Sequence, residues 1–226
     1  MTIKTVEQNC DPSGDGILLV VTGPSGVGKD TVISEFLKRN NDFHKLVTDT
    51  NRPPREKETA GVDYNFFTYE DFLKRIDQGI YLEYAEVRPK EYKGTPKKAI
   101  EELLEGKNII LKTDEYAGAH MKDIFREGLP GSEVERIIAK TVTLYIAPEE
   151  WSQLREQYFG RESKASQEWF LIKLQRDKEM WEKYQDRFDQ IVVNRRGRIA
   201  DTVTAIENIA AARGKSCKRI PGKKWE

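Results

Sequence analysis

Short apolar runs alternate along this chain with stretches of helical periodicity. Gly16-Ile17-Leu18-Leu19-Val20-Val21-Thr22 is apolar, rich in β-branched residues and of strand length, so it reads as a strand buried on both faces. Behind it, Val32 with Phe36 and Ile33 with Leu37 repeat at i, i+4 and predict a helix ending near Asn40-Asn41. Further strands are predicted at His44 to Val47, Leu82 to Val87, Asn108 to Thr113, Thr141 to Ile146 and Gln190 to Val193. Tyr69, Phe72, Leu73 and Ile76 carry helical spacing closed by Gly79. Thr95-Pro96 offers a capping hydroxyl and a first-turn proline for a helix buried through Ile100, Leu103 and Leu104. Other helices are predicted from about Glu115 to Arg126, from Pro148 through Leu154, from about Gln167 to Arg187 and from about Ala200 to Arg213. Leu129-Pro130-Gly131 breaks the chain, and Ser132 to Lys140 shows no decisive pattern. Such alternation predicts an α/β fold whose parallel sheet is covered on both faces, with ligands at the C-terminal edge of its strands.

Between the first strand and its helix stands Gly23-Pro24-Ser25-Gly26-Val27-Gly28-Lys29, glycine-rich in the context that a phosphate-binding loop requires. Glycines let the backbone wrap an anion with the amides of the helix start aimed at phosphate oxygens, and Lys29 adds a mobile charge. The next position usually carries Ser or Thr to reach the nucleotide's magnesium, but here it is Asp30, with Thr31 offering a hydroxyl one residue later.

Composition narrows the partners. The 226 residues include 38 basic and 38 acidic side chains, so no global field favours nucleic acid or an anionic membrane, and neither is expected as a partner. Cys10 and Cys217 lie near opposite ends, which argues for a reducing compartment, the cytoplasm, rather than a disulfide framework. No apolar run approaches membrane-spanning length, MTIKTVEQNCDPSGDG lacks the apolar segment of a secretion signal, and His44 and His120 without Cys-x-x-Cys give no zinc pattern. The expected organisation is a loose arm (1–15), a core (16–47 and 96–213), an excursion subdomain (48–95) and a basic tail (214–226) that reads as a solvated end.

Within the excursion, Arg52 and Arg55 can form a fork around a dianion, and Tyr64 can add a hydroxyl donor. Guanine presents a ring N–H beside an amino group, which one carboxylate can accept together, and Glu83 is the candidate reader. Together with the phosphate loop, Arg52-Pro53-Pro54-Arg55 followed by Glu58, Gly61, Asp63, Tyr64 and Phe66 resembles the signature of the guanylate kinase family. So do Leu82-Glu83-Tyr84-Ala85-Glu86-Val87 and Ile191-Val192-Val193-Asn194, over roughly residues 16–212. The resemblance implies a P-loop kinase with a parallel five-stranded sheet flanked by helices, an inserted small α+β subdomain that binds the nucleoside monophosphate, and a helical lid at about 155–170. It implies transfer of a phosphoryl group from ATP to GMP or dGMP, with Mg2+ as cofactor and a monomer or homodimer as the unit. ATP would be held by Gly23, Pro24, Ser25, Gly26, Val27, Gly28, Lys29, Asp30, Thr31 and Asn194, with Asp30 and Thr31 toward the metal. GMP would be held by Thr48, Arg52, Arg55, Tyr64, Glu83, Tyr92, Lys93, Thr95 and Asp114. Lys29, Arg52, Arg55 and the lid residue Arg161 would be the catalytic cations.

Departures cluster on the chemistry. Asp30 replaces the hydroxyl residue; Leu111-Lys112-Thr113-Asp114 stands where the family reads Leu-Asp-x-Asp; Tyr92-Lys93-Gly94-Thr95 replaces Tyr-Tyr-Gly-Thr; and Lys173 or Arg176 stands in for a second lid arginine. Asp30 and Lys112 look complementary and are expected to pair across the phosphate site. Two other readings follow from these changes: a kinase of another phosphate ester, as in the ribose 1,5-bisphosphate-forming relatives, or a catalytically silent binding module.

Overall fold

The computed structural model describes residues 16–56, 58–159 and 164–213. Arg161, the N-terminal arm and the basic tail lie outside the described residues. In chain order the elements are β1 (Leu18–Thr22), α1 (Lys29–Arg39), β2 (Phe43–Lys45), β3 (Thr48–Thr50), β4 (Tyr64–Phe66), α2 (Tyr69–Asp77), β5 (Tyr81–Arg88) and β6 (Glu91–Pro96). They continue with α3 (Lys98–Leu104), β7 (Asn108–Lys112), α4 (Glu115–Gly128), α5 (Gly131–Lys140), β8 (Thr141–Pro148), α6 (Trp151–Phe159), α7 (Lys164–Tyr184), β9 (Gln190–Asn194) and α8 (Ile199–Arg213).

Five strands form an all-parallel sheet in the order β2-β7-β1-β8-β9. β1 lies at its centre, and every residue of it is buried, as the unbroken apolar run requires of a strand with helices on both sides. Alternation divides that run between two cores. Leu19 and Val21 join Ile110, Leu144 and Ile146 against Val32, Ile33 and Phe36 of α1 and Val203 and Ile206 of α8. Leu18 and Val20 join Ile109 and Leu111 against Leu103 of α3, Met121 and Phe125 of α4 and Ile137 of α5. The first strand-helix-strand unit closes across β7, because β2 pairs with β7 and not with β1.

Residues 48–96 build a second, four-stranded sheet in the order β4-β3-β6-β5, with α2 against one face. Phe72 of α2 stacks on Tyr81 and Tyr92 at 4.8 and 5.7 Å between ring centroids. On that covered face the buried Asp49 accepts from Arg75 Nη2 at 2.8 Å and from Asn65 at 2.9 Å. Gly94 admits the Tyr81 ring, since a Cβ there would stand 2.7 Å from it.

Two local expectations change. Thr95-Pro96 does not start a helix: the chain stays extended through Pro96, and α3 begins at Lys98 without a side-chain cap. The Thr95 hydroxyl is taken instead by Glu83, across the sheet at 2.5 Å. Ser132 to Lys140 is helical within α5, with Val134 and Ile137 buried.

Candidate active site

The phosphate loop joins β1 to α1. Gly23 has φ +142°, and a Cβ there would lie 2.4 Å from the Ile146 carbonyl oxygen, so only glycine lets the loop leave the sheet beside β8. Gly28 caps α1 in the left-handed region and supplies no side-chain cap, so the first amides of α1 are left for an anion. Asn194, at the end of β9, fixes the loop by donating to the Val27 carbonyl at 2.7 Å, and Thr202 of α8 holds Asn194 at 2.9 Å. Lys29 Nζ folds back onto its own loop, donating to the carbonyls of Gly23 at 2.6 Å and Pro24 at 2.9 Å. Burial pulls its pKa down to about 8 against the partly compensating charges of Glu115 and Asp177.

Beneath the loop lies a pair of acids for which the sequence carries no signal beyond ordinary polar periodicity. Asp177 of α7, 5% exposed, accepts the Ser25 amide at 2.7 Å. Glu115, at the first turn of α4, accepts the Tyr145 hydroxyl at 2.8 Å and also hydrogen-bonds Asp177. Burial, then the nearby Asp177 carboxylate, pushes Glu115 up to about 8.

At the C-terminal end of β7, Lys112 Nζ donates to Asp30 Oδ1 at 2.5 Å, the pairing expected from their complementary charges. Protein crowding opposes ionisation of Asp30, but the Lys112 charge and hydrogen bond outweigh it and hold the carboxyl below its usual range. Thr31 is exposed in the same turn.

The open face of the second sheet carries the acceptor-side residues. Register pairs Thr50 with Lys93, Thr95 with Glu83 and Thr48 with Tyr64, so strand alternation brings Thr48, Tyr64, Glu83, Lys93 and Thr95 to one side. Lys93 Nζ donates to the Tyr64 hydroxyl at 3.1 Å. Tyr92, one position earlier, instead packs its ring on Phe72 beside α2, on the opposite face. Lys93, not Tyr92, is therefore the neighbour of Tyr64. Arg52 lies over the Tyr64 ring, 5.1 Å from its centroid, with its guanidinium held by both Glu58 oxygens at 2.6 Å. Glu58 also accepts the Arg55 amide at 2.9 Å, while the Arg55 side chain is exposed. Hydrogen bonds from Arg52 hold Glu58 down at about 2. Glu83 is raised to about 7 by burial, against the hydrogen bond from the buried Thr95 hydroxyl, with the charge of Asp114 adding to the rise. Asp114 itself caps α4 through the Ala117 amide at 2.9 Å.

Magnesium takes oxygen ligands, keeps several waters, and is commonly held by one or two carboxylates together with substrate phosphates. Among the described residues no cluster of three or more His, Cys, Asp or Glu is grouped to hold an ion. Asp30, 76% exposed at the mouth of the phosphate loop, fits as the single protein carboxylate of an ion that arrives on a nucleotide.

Comparison with known proteins agrees with this geometry. The guanylate kinase family model matches residues 16–213. A guanylate kinase of Thermotoga maritima is 36% identical over 181 residues, covering 79% of each chain. One from Clostridium tetani is 34% identical over 198 residues, covering 87% of this chain and 86% of the relative. The crystal structure of guanylate kinase from Anaplasma phagocytophilum superposes with a TM-score of 0.64 at 25% identity over 92% of both chains. With the family model spanning residues 16–213 and relatives more than 30% identical over most of their length, the chain belongs to the guanylate kinase family.

Proposed function

We propose that this protein transfers the γ-phosphoryl group of ATP to GMP or dGMP in the cytoplasm. The observation that carries this reading is the Glu83–Thr95 pair, a half-buried carboxylate on the same sheet face as Lys93 and Tyr64. An ionised carboxylate there accepts the ring N–H and amino group of guanine together, whereas adenine offers an acceptor at the corresponding position and would leave Glu83 opposed. A sugar phosphate has no use for such a reader, and the curated relatives are guanylate kinases, so the ribose-ester and silent-module readings are not favoured.

The loop amides that follow Ser25, from Gly26 to Lys29, receive the ATP phosphates, and Lys29 swings from the Gly23 and Pro24 carbonyls to phosphate oxygens. Arg52, Arg55, Tyr64 and Lys93 hold the GMP phosphate as a dianion. A GMP phosphate oxygen then forms a bond to Pγ in line, the bond from Pγ to the β,γ-bridging oxygen breaks, and ADP leaves with that electron pair. No protein atom forms a covalent bond, so the work is positioning and charge cancellation. A magnesium ion bound at Asp30 would supply charge neutralisation on the donor phosphates. Arg161, between α6 and α7, is assigned the lid cation.

ADP release from ATP and Mg2+ with GMP, dGMP, AMP and UMP as acceptors tests the reading. Turnover confined to GMP and dGMP, lost in Lys29→Ala, is expected; equal turnover with AMP, or none with any acceptor, would overturn it.

A further inference from the structure

Lys112 stands two residues beyond Ile110, whose side chain packs with Val32 and Phe36 of α1. Strand alternation therefore sends Lys112 out on the same face, over the first turn of that helix. There it is the inner member of its pair: Lys112 is 22% exposed and Asp30 is 76% exposed. Its charge reaches three groups that bracket the reaction. One is Asp30; the second is Lys29, in the donor-phosphate loop; the third is Tyr64, whose hydroxyl contacts Lys93 on the acceptor face. Lys112 thus stands over the first turn of α1, paired with Asp30 beside the donor-phosphate loop. An ion pair with one partner this exposed adds little to stability, and a carboxylate at the mouth of a phosphate loop repels phosphate unless a cation covers it.

We propose that Lys112 is a catalytic residue of this kinase: when both nucleotides are bound, its ammonium leaves Asp30 and contacts the oxygens of the phosphoryl group in transit. Asp30 acts before that as the holder that keeps the cation paired in the empty site. No bond changes at Lys112; it supplies charge at the midpoint, where donor and acceptor phosphates repel each other. This rests on the GMP-kinase reading above. A purely structural pair would clamp β7 to α1 and contribute nothing to phosphate binding.

The test is calorimetric binding of an adenosine–guanosine pentaphosphate, which spans both sites, to the full chain in EDTA, so that neither metal nor turnover contributes. Lys112→Met is expected to weaken binding about 10-fold or more, and to lower kcat about 100-fold with KM for GMP little changed, as for a contact made in the transition state. Lys112→Arg should recover part of both. Asp30→Asn should tighten metal-free binding by about 3- to 10-fold, and this gain should shrink in the Lys112→Met background, where only the removal of carboxylate repulsion is left and no cation is released. Pentaphosphate affinity within twofold in Lys112→Met, or an Asp30→Asn gain that persists undiminished without Lys112, would overturn the proposal. If Lys112→Met does not fold, failure of the exposed-site variant Asp30→Asn to tighten binding overturns it equally. If the unmodified chain binds neither GMP nor the pentaphosphate, the kinase reading itself fails and the proposal falls with it.

Discussion

Replacing Glu83 by Gln separates the base reader from the rest of the site, and pH provides an independent handle on the same group. Glu83 is raised from an ordinary glutamate value of 4.5 to about 7 in the empty cleft, so near pH 7 only about half of the protein presents the carboxylate that guanine needs. GMP selects that form. The sign follows: kcat/KM for GMP rises with pH, by up to about tenfold per unit below pH 7, and levels off above it. Two hydrogen bonds from guanine to a charged acceptor are worth about 1.5–3 kcal/mol each before reorganisation. A net loss of about 2–4 kcal/mol in Glu83→Gln corresponds to about 30- to 1000-fold in kcat/KM for GMP. Lys29 complicates the alkaline side, because it is lowered to about 8 in the empty loop. The profile is therefore measured with GMP varied at saturating ATP, where bound phosphates keep Lys29 protonated, over pH 5.5 to 9 by coupled ADP release. The second ionisation of the GMP phosphate, at about 6, leaves its own acid limb in every variant. A limb centred at about 7 that survives in Glu83→Gln, or a variant that still prefers GMP to AMP as strongly as the parent, would refute the assignment.

Other expectations concern the acids that order the site. Glu58 is depressed to about 2 by Arg52, so its contribution is present above about pH 4.5 and is lost as pH falls toward 2. With solvent screening this amounts to about 1–2 kcal/mol. Denaturant titrations should show it as a steeper acid loss in the parent than in Arg52→Ala. Glu115, raised to about 8, acts in the opposite sense, since the folded state resists its ionisation and loses stability as pH rises from about 4.5 to about 8. Glu115→Gln should match the parent at pH 5 and exceed it by about 1–3 kcal/mol at pH 8, read from urea midpoints. Gly118 of α4 lies against β1, where a Cβ would stand 2.0 Å from Thr22 Cγ2. Gly118→Ala should cost about 1–3 kcal/mol in the same assay, as an overpacked contact between helix and sheet.

What could be read in the sequence depended on whether its cause was local. β1, the glycine loop and α1 were legible because buried-strand apolarity, glycine and helical spacing each act within a few residues. Thr95-Pro96 misled for the opposite reason: the residue types favour a helix start, but the Thr95 hydroxyl is captured by Glu83, twelve positions away in sequence and directly opposite in the sheet. Tyr92 and Lys93, both expected at the GMP site, divide between the two faces of the sheet, because one residue along a strand moves a side chain to the other face. The register of β6 against β3 and β5 sets that face. Glu115 and Asp177 escaped altogether, since an acid in a charged helix looks solvated until tertiary packing shows Asp177 accepting a loop amide.

These pairings share one electrostatic logic. A site that must hold two polyphosphates needs several cations converging on a small volume, and in the empty protein those cations repel one another. Here Arg52 rests on Glu58, Lys112 on Asp30, and Lys29 on its loop carbonyls with Glu115 and Asp177 nearby. One ion pair lies beside the second sheet and the other at the phosphate loop. Glu58 is doubly bound by a guanidinium and takes a further amide, which suits a permanent orienting contact. Asp30 offers Lys112 one oxygen from an exposed side chain, a contact that phosphate can outcompete. The difference in geometry predicts a difference in role. Glu58 keeps Arg52 aimed while substrate is bound, and Asp30 gives Lys112 up.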